Sequence, residues 1–188
     1  MSSSTGNISE AELIDSSISG DKHAFGKLYD FYYKQIYRYA FYRLSNREEA
    51  ADMAANIFLR AWGHLPEFGK GNQRNFRAWL YRIAHNMIID HYRKQRISSP
   101  LQEAVNVPQR KPGPEESFQK RERSKALANA INKLNPIAQQ IIACRFIACM
   151  SHKETAEIAG LSEGNVRIIQ YRALQQLQIM FTKERDEG

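Results

Sequence analysis

The sequence predicts an all-α protein: two small helical domains joined by a proline-rich linker, the second containing a helix-turn-helix. Three observations carry this. Apolar residues recur at three- and four-residue steps along most of the 188 residues, with no strand-like alternation. Four of the six prolines (Pro100, Pro108, Pro112 and Pro114) fall within residues 97–117, which lack any helical period. A glycine corner between two short apolar stripes then follows near the C-terminal end. The expected boundaries are 8–97 for the first module, 98–117 for the linker and 118–182 for the second module.

Taken in order, Ile8–Ser19 predicts a short helix that Gly20 ends. Residues 22–44 predict an aromatic-rich helix, with Phe25, Leu28, Tyr29, Tyr32, Ile36, Tyr39 and Ala40 on one stripe. Leu44-Ser45-Asn46 closes it. A helix from Arg47 to His64 presents Ala54, Ile57, Phe58, Ala61 and Trp62, with Leu65 just beyond it. Pro66 is expected to end it, because the residue before a proline is disfavoured in helical geometry. Residues 66–75, PEFGKGNQRN, read as a loop. Phe76–Gln95 predicts a third long helix with Phe76, Trp79, Leu80, Ile83, Ala84, Met87, Ile88 and His91 inward. Arg77, Arg82, His85, Asn86, Arg93 and Lys94 form its polar, mostly basic side.

In the second module, 119–133 reads as a helix with Leu127, Ala130 and Ile131 inward and Leu134 just past its end. Asn135 caps the next, with Pro136 at its first position, where the missing N–H costs nothing. That helix is expected to run 136–149 and to carry both cysteines, Cys144 and Cys149, as buried thiols facing different ways. Ser151 and Glu154 form a capping box for a helix over 152–159.

Formal net charge is +7, and it is unevenly spread. Residues 22–97 hold 14 basic and 6 acidic side chains and residues 118–182 hold 9 and 4, while the strip between is weakly acidic. Two positive blocks favour a polyanionic partner, although solvated helices also carry Lys and Arg. Residues 1–20 are acidic and Ser-rich without an apolar run, and no stretch reaches 18 apolar residues. A cytoplasmic chain with no membrane insertion is expected. No ligand-spaced Cys, His or carboxylate set, phosphate loop or nucleophile motif is present, which argues against a metal site, a cofactor or an enzyme.

The most specific local pattern is SHKETAEIAGLSEGNVRIIQYRALQQL. Thr155, Ala156 and Ala159 face inward, Gly160 takes the turn, Leu161 anchors it, and Val166 and Ile169 hold the second helix against the first. In a helix-turn-helix the second helix enters the major groove by its N-terminal end. The residues expected to face DNA are Ser162, Glu163, Asn165, Arg167, Ile168, Tyr171 and Arg172. Arg167 suits a guanine edge or a phosphate, Asn165 an adenine and Ile168 a thymine methyl. Ser162 and the free N–H groups beside it suit a phosphate. A plain helical hairpin gives similar spacing, and residues 151–182 carry three basic and three acidic side chains, so the unit itself is not basic.

A second candidate surface combines the 66–75 loop with the polar side of the third long helix. Lys70, Arg74, Arg82 and Arg93 supply charge; Asn72, Gln73, Asn75, His85 and Asn86 supply hydrogen-bonding edges; Phe68 and Tyr92 are candidate stacking groups. Single-stranded DNA is bound by this mixture.

AFGKLYDFYYKQIYRYAFYRL, EEAADMAANIFLRAW and FRAWLYRIAHNMIIDHYRK in the first module, with LNPIAQQIIACRF and ETAEIAGLSEGNVRIIQYRALQQL in the second, resemble the extracytoplasmic-function sigma factors, the minimal group of the sigma-70 family. The resemblance covers about residues 10–180. It implies a factor that binds core RNA polymerase and directs it to promoter DNA. The first module would capture unpaired bases of the −10 element, with the loop near 66–75 as its specificity loop, and the second would read the −35 element as duplex. It also implies an anti-sigma factor as partner. Polymerase contact falls on Asp52, Ala55, Asn56, Leu59 and Arg60. There the chain departs from the family, which typically has Asp-Leu-Val-Gln-Glu where Asp52, Met53, Ala54, Ala55 and Asn56 stand. Two other readings remain: a helix-turn-helix regulator acting alone, and a protein-interaction module with weakened polymerase binding. The first would need a dimer, yet no dimerisation coil is visible, so the free chain is expected to be a monomer.

Overall fold

A computed structural model describes residues 9–70, 75–98 and 118–186. They form α1 (Glu10–Ile18), α2 (Lys22–Leu44), α3 (Arg47–Lys70), α4 (Phe76–Ser98), α5 (Phe118–Asn132), α6 (Pro136–Ile142), a π-helical turn (Ala143–Ile147), α7 (His152–Ala159) and α8 (Glu163–Asp186), with no strand among the described residues. The expected linker, but for Ser98 at the end of α4, and the loop residues Asn72, Gln73 and Arg74 lie outside the described residues.

Most helix starts are set locally. The side-chain oxygens of Ser9, Asp21, Asn135 and Ser151 each accept a first-turn backbone N–H. Asn46 accepts from Glu48 and Glu49 at the head of α3, and Asn75 from Ala78 at the head of α4. Each such cap stabilises its helix by about 1 kcal/mol. Ser9 with Glu12, and Ser151 with Glu154, complete capping boxes.

Pro66 does not end α3, which continues to Lys70. A proline inside a helix costs about 3 kcal/mol, because its ring displaces the carbonyl four residues back. The continuation buries Phe68, whose side chain contributes about 1.5–3 kcal/mol of apolar transfer, and its ring contacts with Phe76 and Trp79 add to this, a gain comparable with the cost of the proline. At the end of α3 the backbone meets α1: a Cβ on Gly69 would lie 2.7 Å from Ile18 Cγ2.

The core of α1–α4 is aromatic. Tyr32, Phe68, Phe76 and Trp79 form a connected ring cluster, with Phe76 touching the other three. In α5–α8, Ile131, Leu134, Ile142, Ala173 and Leu177 make one small core, and Ile141, Ala156 and Val166 another.

The two helical modules share a buried seam. Ala128, Ala143, Cys144, Ala148, Met150 and Ile158 belong to the core cluster of α2–α4, so the second module is packed against the first. The expected 136–149 helix is replaced after Ile142 by the π turn, where Ala148 N–H reaches back to Ala143 O at 2.9 Å. Such a turn admits an extra residue and shifts the buried face. Ile141 and Ile142 thus stay in the second module's own cores while Cys144 points into the first module. Cys149 is exposed with φ 52°, not a buried helical thiol. Among the described residues no helix is long and apolar enough to cross a membrane.

Candidate nucleic-acid and polymerase surfaces

The helix-turn-helix is built around Gly160 and Val166. Gly160 lies in left-handed geometry, φ 65° and ψ 35°, with its N–H on Ala156 O. A side chain there would be strained. Leu161 N–H also reaches Ala156 O, at 3.0 Å. Val166 is sealed against Ala156 and Ile141, with Leu161 and Ile169 closing the sides. Ser162 Oγ accepts Asn165 N–H at the head of α8. Thr155 and Ala156 face inward as the pattern predicts; Ile158, not singled out from the sequence, faces the first module.

Burying Val166, Ala173 and Leu177 fixes which side of α8 is left over. Asn165, Arg167, Ile168, Tyr171 and Arg172 are exposed on that side, with Glu163 half-buried and Ser162 exposed at its start. Ile168 and Tyr171 are more than half exposed, at 51% and 63%, and are accessible to a partner. Arg167 is paired with Glu163 at 3.2 Å, one helical turn back.

On the first module, the α4 surface is only partly open. Asn86 and Arg93 are exposed, the latter paired with Asp90 at 3.1 Å. Arg82 is half-buried. Lys70 is the exposed last residue of α3 rather than a loop residue. Phe68 is not a stacking platform: it is 7% exposed and wedged between Phe76 and Trp79. Tyr92 is half-buried, its hydroxyl donating to Arg43 O. Asn75 donates to Glu154 of α7 at 3.4 Å, and the Arg77 guanidinium donates to Ala148 O. Two side chains at the head of α4 thus bond to the second module, while Asn75 itself stays exposed.

His85 sits mid-way along α4 with its Nδ1 buried and without a hydrogen-bond partner among the described residues. Burial, and then the nearby Arg43 guanidinium, depress its pKa from 6.5 to about 4. The ring is neutral at pH 7. Because the folded value lies below the unfolded one, the stability tied to the neutral ring is complete above pH 6.5 and is lost as pH falls toward 4. The full loss is about 3 kcal/mol. Urea titrations at pH 7.5 and pH 5 should show this decline in the natural chain and a flatter profile in His85→Gln. Equal slopes in both would place the proton uptake elsewhere.

Asp52, Ala55, Asn56, Leu59 and Arg60 recur at three- and four-residue steps on α3, and all five are exposed on one ridge. Leu59 is 70% exposed. Ala55 and Leu59 border an open, mainly apolar cleft of about 370 Å³ whose other walls are Lys22, Phe25, Tyr29, Phe58 and Trp62. The ridge is implied by the family resemblance; the cleft is not, because its walls come from two helices, α2 and α3.

Two family models match the chain: Sigma-70 region 2 over residues 28–97 and Sigma-70, region 4 over residues 130–178. The chain is 34% identical over 168 residues to the ECF RNA polymerase sigma factor BldN of Streptomyces coelicolor, covering 88% of this chain but 63% of that longer protein. It is 31% identical to the RNA polymerase sigma factor YlaC of Bacillus subtilis, covering 85% of this chain and 93% of that one. Among solved structures, CnrH in complex with the cytosolic domain of CnrY matches with a TM-score of 0.72 and 25% identity, covering 93% of this chain and 97% of that one.

Proposed function

The chain belongs to the extracytoplasmic-function sigma factors of the sigma-70 family, and from this we propose that it selects promoters by capturing the unpaired −10 strand on α4 while α8 reads the −35 duplex. It is a non-catalytic initiation factor acting with core RNA polymerase.

One observation carries the −35 assignment. The half of α8 that follows the turn is held by Val166 on its inner side, so Asn165, Arg167, Ile168 and Arg172 stand on the outer side without folding duties. An exposed N-terminal half of the second helix is what major-groove entry requires. For the −10 element the support is the polar row Asn75, Arg82, His85, Asn86 and Arg93, with Lys70 and the residues Asn72, Gln73 and Arg74 of the connecting segment. Capturing a base costs a few kcal/mol of unstacking, which phosphate contacts from Lys70, Arg74 and Arg93 would offset.

Polymerase docking is assigned to the α3 ridge of Asp52, Ala55, Asn56, Leu59 and Arg60. Ala55 and Asn56 offer no charge there, so Leu59 and the cleft beside it carry more of the contact than Gln-Glu would. By likeness to CnrH, whose complex is with the cytosolic domain of CnrY, an anti-sigma protein that grips both modules is the expected regulator, and the free factor is expected to be a monomer.

The test is transcription from a promoter library with purified core polymerase, mapping start sites with and without the chain. New starts sharing two spaced elements are expected. No gain of start-site preference would end this reading.

A further inference from the structure

We propose that Glu163 and Arg167 act as one reading unit that selects a guanine-cytosine pair in the −35 element, with Glu163 as the residue that sets the specificity. This rests on the −35 reading of α8 and names the base pair that its head takes.

Glu163 is the first residue of α8, and Arg167 follows one turn later on the same flank. Both side chains are open to solvent, and Arg167 Nη2 lies 3.2 Å from Glu163 Oε2. Folding fixes the flank that carries them, because Val166 is sealed against Ala156 and Ile141 on the inner side. Entry of the head of α8 into the major groove therefore brings the carboxylate and the guanidinium in together.

A carboxylate works against binding there unless it meets a donor, since duplex DNA carries about one negative charge per 1.7 Å. Glu163 is the only acid between residues 158 and 183. The fold has little need of it. Ser162 already caps the helix by accepting Asn165 N–H, and a surface pair one turn apart contributes little stability. What the carboxylate can offer DNA is acceptance from a base amino group, and in the major groove only cytosine and adenine present one.

Arg167 decides between them. A guanidinium presents its N–H donors as a fork, which fits two adjacent acceptors. Guanine has such a pair in N7 and O6, and the amino group of its cytosine comes next across the groove. Acceptor, acceptor, donor is the order that a fork with a carboxylate beside it matches. The bond to Glu163 uses one guanidinium nitrogen, and the group carries five N–H donors, so guanine can be met while the pair stays together. An adenine-thymine pair places its amino group between two acceptors. The fork then meets a donor, and thymine O4 faces the carboxylate and repels it.

The experiment uses the full chain with core RNA polymerase and a promoter library varied at every −35 position, and it reads relative transcript yield. The natural chain is expected to show one position at which guanine-cytosine exceeds adenine-thymine by about tenfold. Glu163→Gln keeps the size of the side chain and can both give and accept a hydrogen bond, as adenine recognition requires. It is expected to reduce the preference at that position to about threefold or less and to leave the other positions unchanged. Arg167→Ala is expected to abolish the preference at the same position. A Glu163 that only steadies the helix would leave the base profile of Glu163→Gln unaltered. An unaltered profile, a loss spread evenly over all positions, or effects of the two variants at different positions would overturn the proposal. The two readings fail differently. If no −35 base affects yield with the natural chain, the −35 reading falls and the proposal with it. If −35 bases matter but none responds to Glu163→Gln, only the proposal is lost.

Discussion

Phe76→Ala is expected to cost about 3–5 kcal/mol, the range for deleting a large aromatic from a packed core. Phe76 is 2% exposed and touches the rings of Tyr32, Phe68 and Trp79. Its loss leaves a void between α2, the end of α3 and α4, and none of these rings can close it without losing contact with the others. A domain of this size holds about 5–15 kcal/mol in total, so the first module would be largely unfolded at 37 °C. Chemical denaturation followed by near-ultraviolet circular dichroism checks this. The result also separates two roles for aromatics near the strand-binding face. A ring that only stacks on bases would cost little stability when removed. A midpoint shift within experimental error for Phe76→Ala would therefore mean that this cluster is available to DNA, contrary to its burial.

Arg167→Ala is expected to lower transcription from a −35-dependent promoter by about 10- to 100-fold, equivalent to losing about 1–3 kcal/mol of base or phosphate contact. Folding should be almost untouched. Arg167 is exposed and its pair with Glu163 is a surface i, i+4 contact, worth about 0.3–0.5 kcal/mol. The loss should be selective: a promoter that depends on its −10 element alone should respond weakly. Unchanged use of the −35-dependent promoter would remove Arg167 from the interface. The Glu163→Ala variant sharpens this, because in the free protein Glu163 holds the Arg167 guanidinium and would have to release it or share it on DNA. Glu163→Ala alone is expected to have a smaller effect, and the double variant to lose no more than Arg167→Ala.

Much of this molecule is local. Capping side chains at Ser9, Asp21, Asn135, Ser151 and Ser162, and the left-handed corner at Gly160, act within four residues of their own position, so their effect is written in neighbouring letters of the sequence. The apolar stripes are equally local: burying Val166, Ala173 and Leu177 leaves Asn165, Arg167 and Arg172 outside, whatever the rest of the chain does.

Other features depend on what arrives from far along the chain. Pro66 predicts a helix end, yet α3 runs through it because Phe68 finds Phe76 and Trp79 waiting on α4. Phe68 is a core residue for the same reason, and no local signal separates it from a surface ring. The sequence by itself determined the helices, their caps and their apolar faces, since periodicity states which side of a helix avoids water. Only the tertiary structure decided what covers each face. Ala128, Cys144 and Ile158 look like ordinary inward residues of their own module, but they pack into the other one, and Arg43 is enclosed by groups up to about a hundred residues away. Helical period records that a surface must be buried; it carries no record of the partner, because that choice is made by contacts between segments whose separation along the chain leaves no mark on either.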